Sequence, residues 1–210
     1  MIENTPVKRK AIVYIDGFNL YFALKEKNWQ SLMWLDLVKL SRRVIGPNRE
    51  LVRVKYFTAR IRNDPPKQQR QTAFLDALAT LEPLDIYEGF YQHNRIMCHG
   101  CGREWPDSKE KQTDVSIATH MLVDSYTPDL IDDIVLVTAD SDQCPAMKAV
   151  RALGKQVLLV LPPGRAGYLE VQKEADRKLE LTKRMFRESL LPEDVPTKSG
   201  FVIKRPEKYK

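Results

Sequence analysis

At 210 residues the chain is long enough for one well-cored domain with short additions, and its 43% hydrophobic content is that of a soluble globular protein. No apolar run approaches the roughly 20 residues of a membrane helix, Met1–Pro6 lacks a signal peptide's apolar core, and three cysteines do not make a secreted disulfide framework, so a cytoplasmic protein without membrane contact is expected. Lys and Arg number 34 against 28 Asp and Glu, a net charge of +6 that suits a polyanionic partner without requiring one.

The first element is Ala11-Ile12-Val13-Tyr14-Ile15, a short continuous apolar run of the buried-strand type, closed at once by Asp16-Gly17-Phe18-Asn19. Further strands are expected at 52–58, 84–91, 134–138 and 156–161, with helices near 18–27, 34–45, 66–80, 113–125, 143–153 and 165–175. Asp64-Pro65-Pro66 marks a helix start and Gly154 a helix stop. Residues 175–190 carry Leu179, Met185, Phe186 and Leu190 and are expected to extend a last helix. The alternation of strand and helix predicts an α/β fold: a central, mainly parallel sheet of about five strands between two helical layers, each crossover right-handed. The domain is expected over 8–190, interrupted by a 92–111 insertion, and 191–210 reads as a tail that packs loosely or not at all.

Function is suggested by where the acids fall. Asp16 ends the first strand, Asp140-Ser141-Asp142 follows the apolar run 134–138, and Asp114 opens the helix 113–125. In open α/β sheets the ligand crevice lies outside the strand ends, so one fold would bring these acids together. Clustered carboxylates suit a hard cation such as Mg²⁺ or Mn²⁺. Each acid also has a plainer reading: Asp142 as the N-cap of a following helix, Asp16 as a turn or cap residue, and Asp114 as a first-turn acid favoured by the helix dipole. Asn19 can turn its amide to the same crevice as ligand or orienter. Arg60, Arg62, Lys67, Arg70, Lys111 and Arg165 flank it as phosphate-holding cations.

Cys98-x-x-Cys101-Gly102 has the spacing of half a zinc site. His93, His99 and Cys144 are the remaining ligand types in reach, a partner subunit in a homo-oligomer is another source, and a metal-free loop is the alternative. Phe18, Tyr21, Phe22, Trp29 and Trp34 offer rings for base stacking or for the core, and Phe22 is read as core. Trp105 is the better exposed contact, and His120 is read as structural. No phosphate-binding P-loop, nucleophile elbow or H-E-x-x-H motif is present.

Asp16-Gly17-Phe18-Asn19, Glu110-Lys111-x-x-Asp114-Val115 and Thr138-Ala139-Asp140-Ser141-Asp142, in that order, resemble the NYN domain, a branch of the PIN-like ribonuclease superfamily. The resemblance covers about residues 10–190 and implies a three-layer PIN-like domain. It also implies an acidic metal site at Asp16, Asp114, Asp140 and Asp142, with Asn19 as its polar companion and Thr138 before the aspartate pair on the substrate side. Gln143, where an apolar or aromatic residue is usual, and Ala139, where glycine is frequent, depart from the pattern without removing a ligand. The implied activity is metal-dependent endonucleolytic hydrolysis of RNA to a 5′-phosphate and a 3′-hydroxyl. Two rivals stay open: an RNA-binding or partner-docking module with a non-catalytic acidic site, and a metal-dependent DNA nuclease or phosphatase.

Overall fold

The computed structural model describes residues 8–62, 64–98, 100–166 and 168–210, the side chains of 93, 94, 96 and 106–110 lying outside that description. Strand β1 (Arg9–Asp16) is fully buried from Ala11 onward, and its side chains alternate between two cores. Ala11, Val13 and Ile15 face one, Ile12 and Tyr14 the other. An apolar run without polar alternation is what a strand covered on both faces requires.

β1 pairs in parallel with β2 (Arg49–Ala59) on one side and β5 (Asp133–Val137) on the other. Beyond β2 lie β3 (Leu84–Met97) and then the antiparallel β4 (Glu104–Lys111); beyond β5 lie β6 (Gln156–Leu161) and β7 (Arg177–Glu180). The order β4-β3-β2-β1-β5-β6-β7 therefore grows outward in both directions from the β1/β5 pair. That pair is the switch point, where loops leave the carboxyl ends in opposite directions and open a crevice.

Helices α1 (Gly17–Glu26), α2 (Leu37–Ile45) and α3 (Pro65–Leu78) cover the first face through Leu20, Leu24, Leu37, Leu40, Leu75 and Leu78. On the second face α4 (Thr113–Tyr126) and α5 (Cys144–Ala152) contribute Ile117, Met121, Met147 and Val150, with Val171 from the short α6 (Leu169–Lys173). Asp64 caps α3 as expected, accepting the Lys67 N–H at 3.1 Å, and Gly154 takes a positive φ of 79° after α5.

Three expectations are corrected. The single helix over 175–190 is instead β7 followed by α7 (Lys183–Arg187), because the Leu179 strand adds to the sheet edge beside β6 while Phe186 enters the core. The 92–111 insertion is a continuation of the sheet, β3 running on into a hairpin with β4. The tail is packed: β8 (Asp194–Pro196) and β9 (Val202–Lys204) form a hairpin whose Val195 and Ile203 join Trp34, Ala77 and Leu191 in a third core. Trp34 is fully buried there and donates its indole N–H to the Pro192 carbonyl at 2.7 Å. A tryptophan needs a partner for that N–H when buried, and the tail supplies it.

Candidate metal centre

Asp16 stands where β1 becomes α1 without an intervening turn, and its carboxylate caps the new helix: Oδ1 accepts the Phe18 and Asn19 N–H groups at 3.1 and 3.0 Å. Gly17 is needed for close approach rather than for a turn. A β-carbon there would lie 2.6 Å from the Phe57 carbonyl oxygen, so only glycine lets α1 start against β2. The second oxygen, Oδ2, accepts the Asn19 amide at 2.6 Å and the Thr138 hydroxyl at 3.0 Å. Asn19 in turn accepts the Ala139 N–H at 3.2 Å, which ties the end of β1 to the segment after β5. Burial raises the Asp16 pKa, opposed by these hydrogen bonds and aided by the charge on Asp140.

Asp140 follows β5 by three residues and caps the single 3₁₀ turn Ser141–Gln143, accepting the Asp142 N–H at 3.0 Å. The cap is thus made by Asp140, and the alternative of Asp142 as the N-cap is overturned. Asp140's own N–H donates to the Thr138 hydroxyl at 3.1 Å. Thr138 is fully buried with its hydroxyl engaged on both sides, so its place is between the two aspartates rather than on a substrate.

Asp114 arrives from the opposite helical layer. Gln112, with φ of 78°, turns the chain out of β4, and Asp114 lies in the first turn of α4. Left-handed backbone at a non-glycine residue is uncommon, and nothing in the sequence of Gln112 announces it. Gln143, buried, donates its amide to the Asp114 carbonyl at 3.2 Å and so joins the 3₁₀ turn to α4. In the sequence Gln143 stands out only as a departure from the family's pattern, three positions after Asp140 and beside Asp142, and its burial against α4 has no signal there.

One carboxylate oxygen from each of Asp16, Asp114 and Asp140 lies within 4.8 Å of the others. Three acids so close repel one another unless protons or a cation intervene. An all-oxygen donor set of this kind could bind a hard divalent cation, and hydrogen bonds hold the Asp16 and Asp140 carboxylates in place. Asp142 is exposed and is not part of this trio.

The expected cations separate on inspection. Arg60 is held by Glu88 at 2.8–3.0 Å and Arg165 by Glu26 at 2.7 Å, while Lys111 is exposed at the end of β4. Arg62, Lys67 and Arg70 line a cleft of about 440 Å³ that begins at Gly17 and Phe18, next to Asp16. Phe22, expected in the core, is 46% exposed on the wall of that cleft, because the core face of α1 is filled by Leu20, Ala23 and Leu24.

The Cys98–Cys101 knuckle is the tip of the β3–β4 hairpin, closed by Gly102 N–H to the Cys98 carbonyl at 2.8 Å and Cys98 N–H to the Arg103 carbonyl at 2.9 Å. The Cys98 thiol is shifted toward thiolate, chiefly by the Cys101 N–H and then by that of Gly100. Of the further ligands considered, His99 and the His93 side chain lie outside the described residues, and Cys144 sits on α5 with its thiol pKa raised by burial. Trp105, on β4 beside the knuckle, is exposed. His120 belongs elsewhere, on α4 at 3.3 Å from Lys55 and against the Tyr87 ring.

The NYN domain family matches residues 10–181, and the chain belongs to that family. It is 28% identical over 185 residues to the 6-hydroxy-3-succinoylpyridine 3-monooxygenase HspA of Pseudomonas putida, a match covering 72% of this chain and 58% of that protein's length. The fold is also that of a Vibrio parahaemolyticus protein of unknown function, VPA0982, with a TM-score of 0.56, 21% identity, and coverage of 88% of this chain and 97% of that one.

Proposed function

We propose that the protein is a divalent-metal-dependent endoribonuclease. The observation that carries this reading is the meeting of Asp16, Asp114 and Asp140 from three separate elements at the switch point of a NYN domain. Asp16 and Asp140 would hold Mg²⁺ or Mn²⁺ directly, with Asp114 completing the set. When bound, such an ion neutralises phosphoryl charge and lowers the pKa of a water. Asn19 and Thr138 aim Asp16 by donating to it and oppose the rise in its pKa that burial causes. Asp142, exposed beside Asp140, holds water at the rim, and Arg62 and Lys111 hold the backbone of the RNA. The reaction is hydrolysis of a phosphodiester to a 5′-phosphate and a 3′-hydroxyl.

The test is incubation of labelled single-stranded RNA, and of the matching DNA, with Mn²⁺ or Mg²⁺, beside EDTA and Asp140→Asn. RNA cutting that needs metal and falls at least ~100-fold in the variant supports the reading; a loss of that order is usual when a charge-stabilising group is removed from an active site. Binding without cutting would replace it with the binding-module reading, and cutting of DNA alone with the DNA nuclease.

A second reading rests on the relative named as a pyridine monooxygenase and on the aromatic-lined cleft beside Asp16, whose volume of about 440 Å³ is in the range of small-molecule sites. Turnover of 6-hydroxy-3-succinoylpyridine with oxygen and a reductant, leaving RNA intact, would favour it. At the hairpin tip, the two thiolates would hold Zn²⁺ only with two further ligands, and a second copy of the chain is the source proposed here. Zinc content measured together with oligomeric state tests that pairing, and a zinc-loaded monomer contradicts it.

A further inference from the structure

Beside its core side, α1 carries a second apolar flank that borders the cleft. Phe18, Tyr21 and Phe22 recur there at the i, i+3, i+4 spacing, while Leu20, Ala23 and Leu24 fill the core side. A helix apolar on both sides has a second contact to make. The rings form a connected set: Phe18 meets Phe22 at 6.5 Å and Tyr91 edge-on at 6.0 Å, and Tyr21 meets Phe22 at 5.3 Å. This set is one wall of the 440 Å³ cleft, a volume within the usual range for a small-molecule site.

The charge of the cleft is one-sided. Among the described residues, Lys25, Arg62, Lys67, Arg70 and Lys208 line it against one acid, Asp64. Asp64 is already paired with Lys67 at 2.5 Å. Tyr209, from the 3₁₀ turn Glu207–Tyr209, lines the cleft together with Arg70. Arg62 is exposed and has no ion-pair partner among the described residues. The cleft lies beside the acidic centre: Gly17 and Phe18, which line it, directly follow Asp16, and the Phe18 backbone N–H donates to the Asp16 carboxylate.

We infer that this cleft is a subsite for one unpaired nucleotide of the strand being cut, its base stacked on Phe18 and Phe22 and its phosphate held by Arg62. The inference rests on the reading of the acidic centre as a phosphodiester-hydrolysing site, and it deepens that reading by making base exposure a condition of binding. Stacking on aromatic side chains accepts any base, because every base has a π-face, whereas a base inside a duplex cannot enter a walled cleft. The substrate is therefore single-stranded at the position next to the scissile bond.

Binding in EDTA separates the subsite from the chemistry. Fluorescence anisotropy of a short single-stranded RNA, the matching DNA strand and the RNA duplex is measured with the full chain, Phe22→Ala, Arg62→Ala and Asp140→Asn. A photocrosslink from 5-bromouracil placed in the RNA is mapped by mass spectrometry. Phe22 and Arg62 are exposed, so both variants keep the core. The expected result is a loss of single-strand affinity of about tenfold in each cleft variant, with Asp140→Asn still binding and the crosslink falling on the α1 rings or Tyr91. A DNA strand that binds equally supports an unpaired nucleotide of either sugar, and a weaker one assigns the site to RNA. Unchanged affinity in both cleft variants, a crosslink elsewhere, or a duplex bound as tightly as the single strand overturns the subsite. Intact binding without any metal-dependent cutting would instead remove the hydrolase reading and leave the subsite standing.

Discussion

A β-carbon on Gly17 would meet the Phe57 carbonyl at 2.6 Å and the Tyr56 ring at 2.8 Å, and the first of these is backbone that cannot swing aside. Gly17→Ala must therefore push the start of α1 away from β2, and Asp16 with it. Overpacking of this kind costs about 1–3 kcal/mol. The expected outcome is a lower urea midpoint together with weakened Mn²⁺ binding, whereas a variant as stable as the parent with intact metal affinity would show that the contact relaxes locally. At this scale the sequence was partly legible. Asp16, Asn19, Asp114 and Asp140 could be read from their places after apolar runs or at a helix start, because those places follow from chain order. The roles of Gly17, Thr138 and Gln143 depend on what lies across from them, Phe57, Asp16 and the Asp114 carbonyl, and spacing along the chain carries no record of that.

Among the elements, α4 is the one whose seating decides where Asp114 sits, and it is fixed by a buried polar cluster on the second face of the sheet. Lys55 of β2 pairs with Asp124 of α4 at 2.7 Å, and the Tyr14 hydroxyl of β1 donates to the same carboxylate oxygen at 2.6 Å. Removing one partner of a buried pair leaves the other charge uncompensated, at about 3–5 kcal/mol, whereas replacing both by apolar residues is often nearly neutral. Asp124→Ala should thus be strongly destabilising in urea unfolding, and Lys55→Met with Asp124→Leu should recover most of the loss; equal damage in single and double variants would contradict this. His120 touches the same cluster and is held below its ordinary pKa of 6.5, first by burial and then by Lys55. The unfolded chain takes up that proton first, so the contribution of His120 is present above about pH 6.5 and is lost as pH falls through the lower folded-state value. His120→Gln should flatten the fall in stability on mild acidification, and an unchanged slope would place its origin elsewhere. The parallel strands β1, β2, β3, β5 and β6 were legible from apolar runs. β7 was not, since Arg177–Glu180 has only one apolar residue and becomes a strand by adding to an edge that β6 already provides.

For the whole molecule, the strand order matters more than any single element, because growth in both directions from β1/β5 places the ends of these two strands at a single crevice and lets α4 close it from the other layer. The three-layer architecture follows from the alternation of strand and helix in the sequence, and the packed tail does not. Its core depends on Trp34 and Ala77, more than a hundred residues earlier, and its Pro- and Lys-rich composition hides the buried Val195 and Ile203. The proposed function depends on the three acids acting as one cation site. Titration of the protein with Mn²⁺, followed by the electron paramagnetic resonance signal of the free ion, measures this without reference to any substrate. Saturable binding by the parent chain, weakened at least tenfold in each of Asp16→Asn, Asp114→Asn and Asp140→Asn, is the result expected for shared ligation. Binding that is absent from the parent, or present and untouched by all three substitutions, would contradict it.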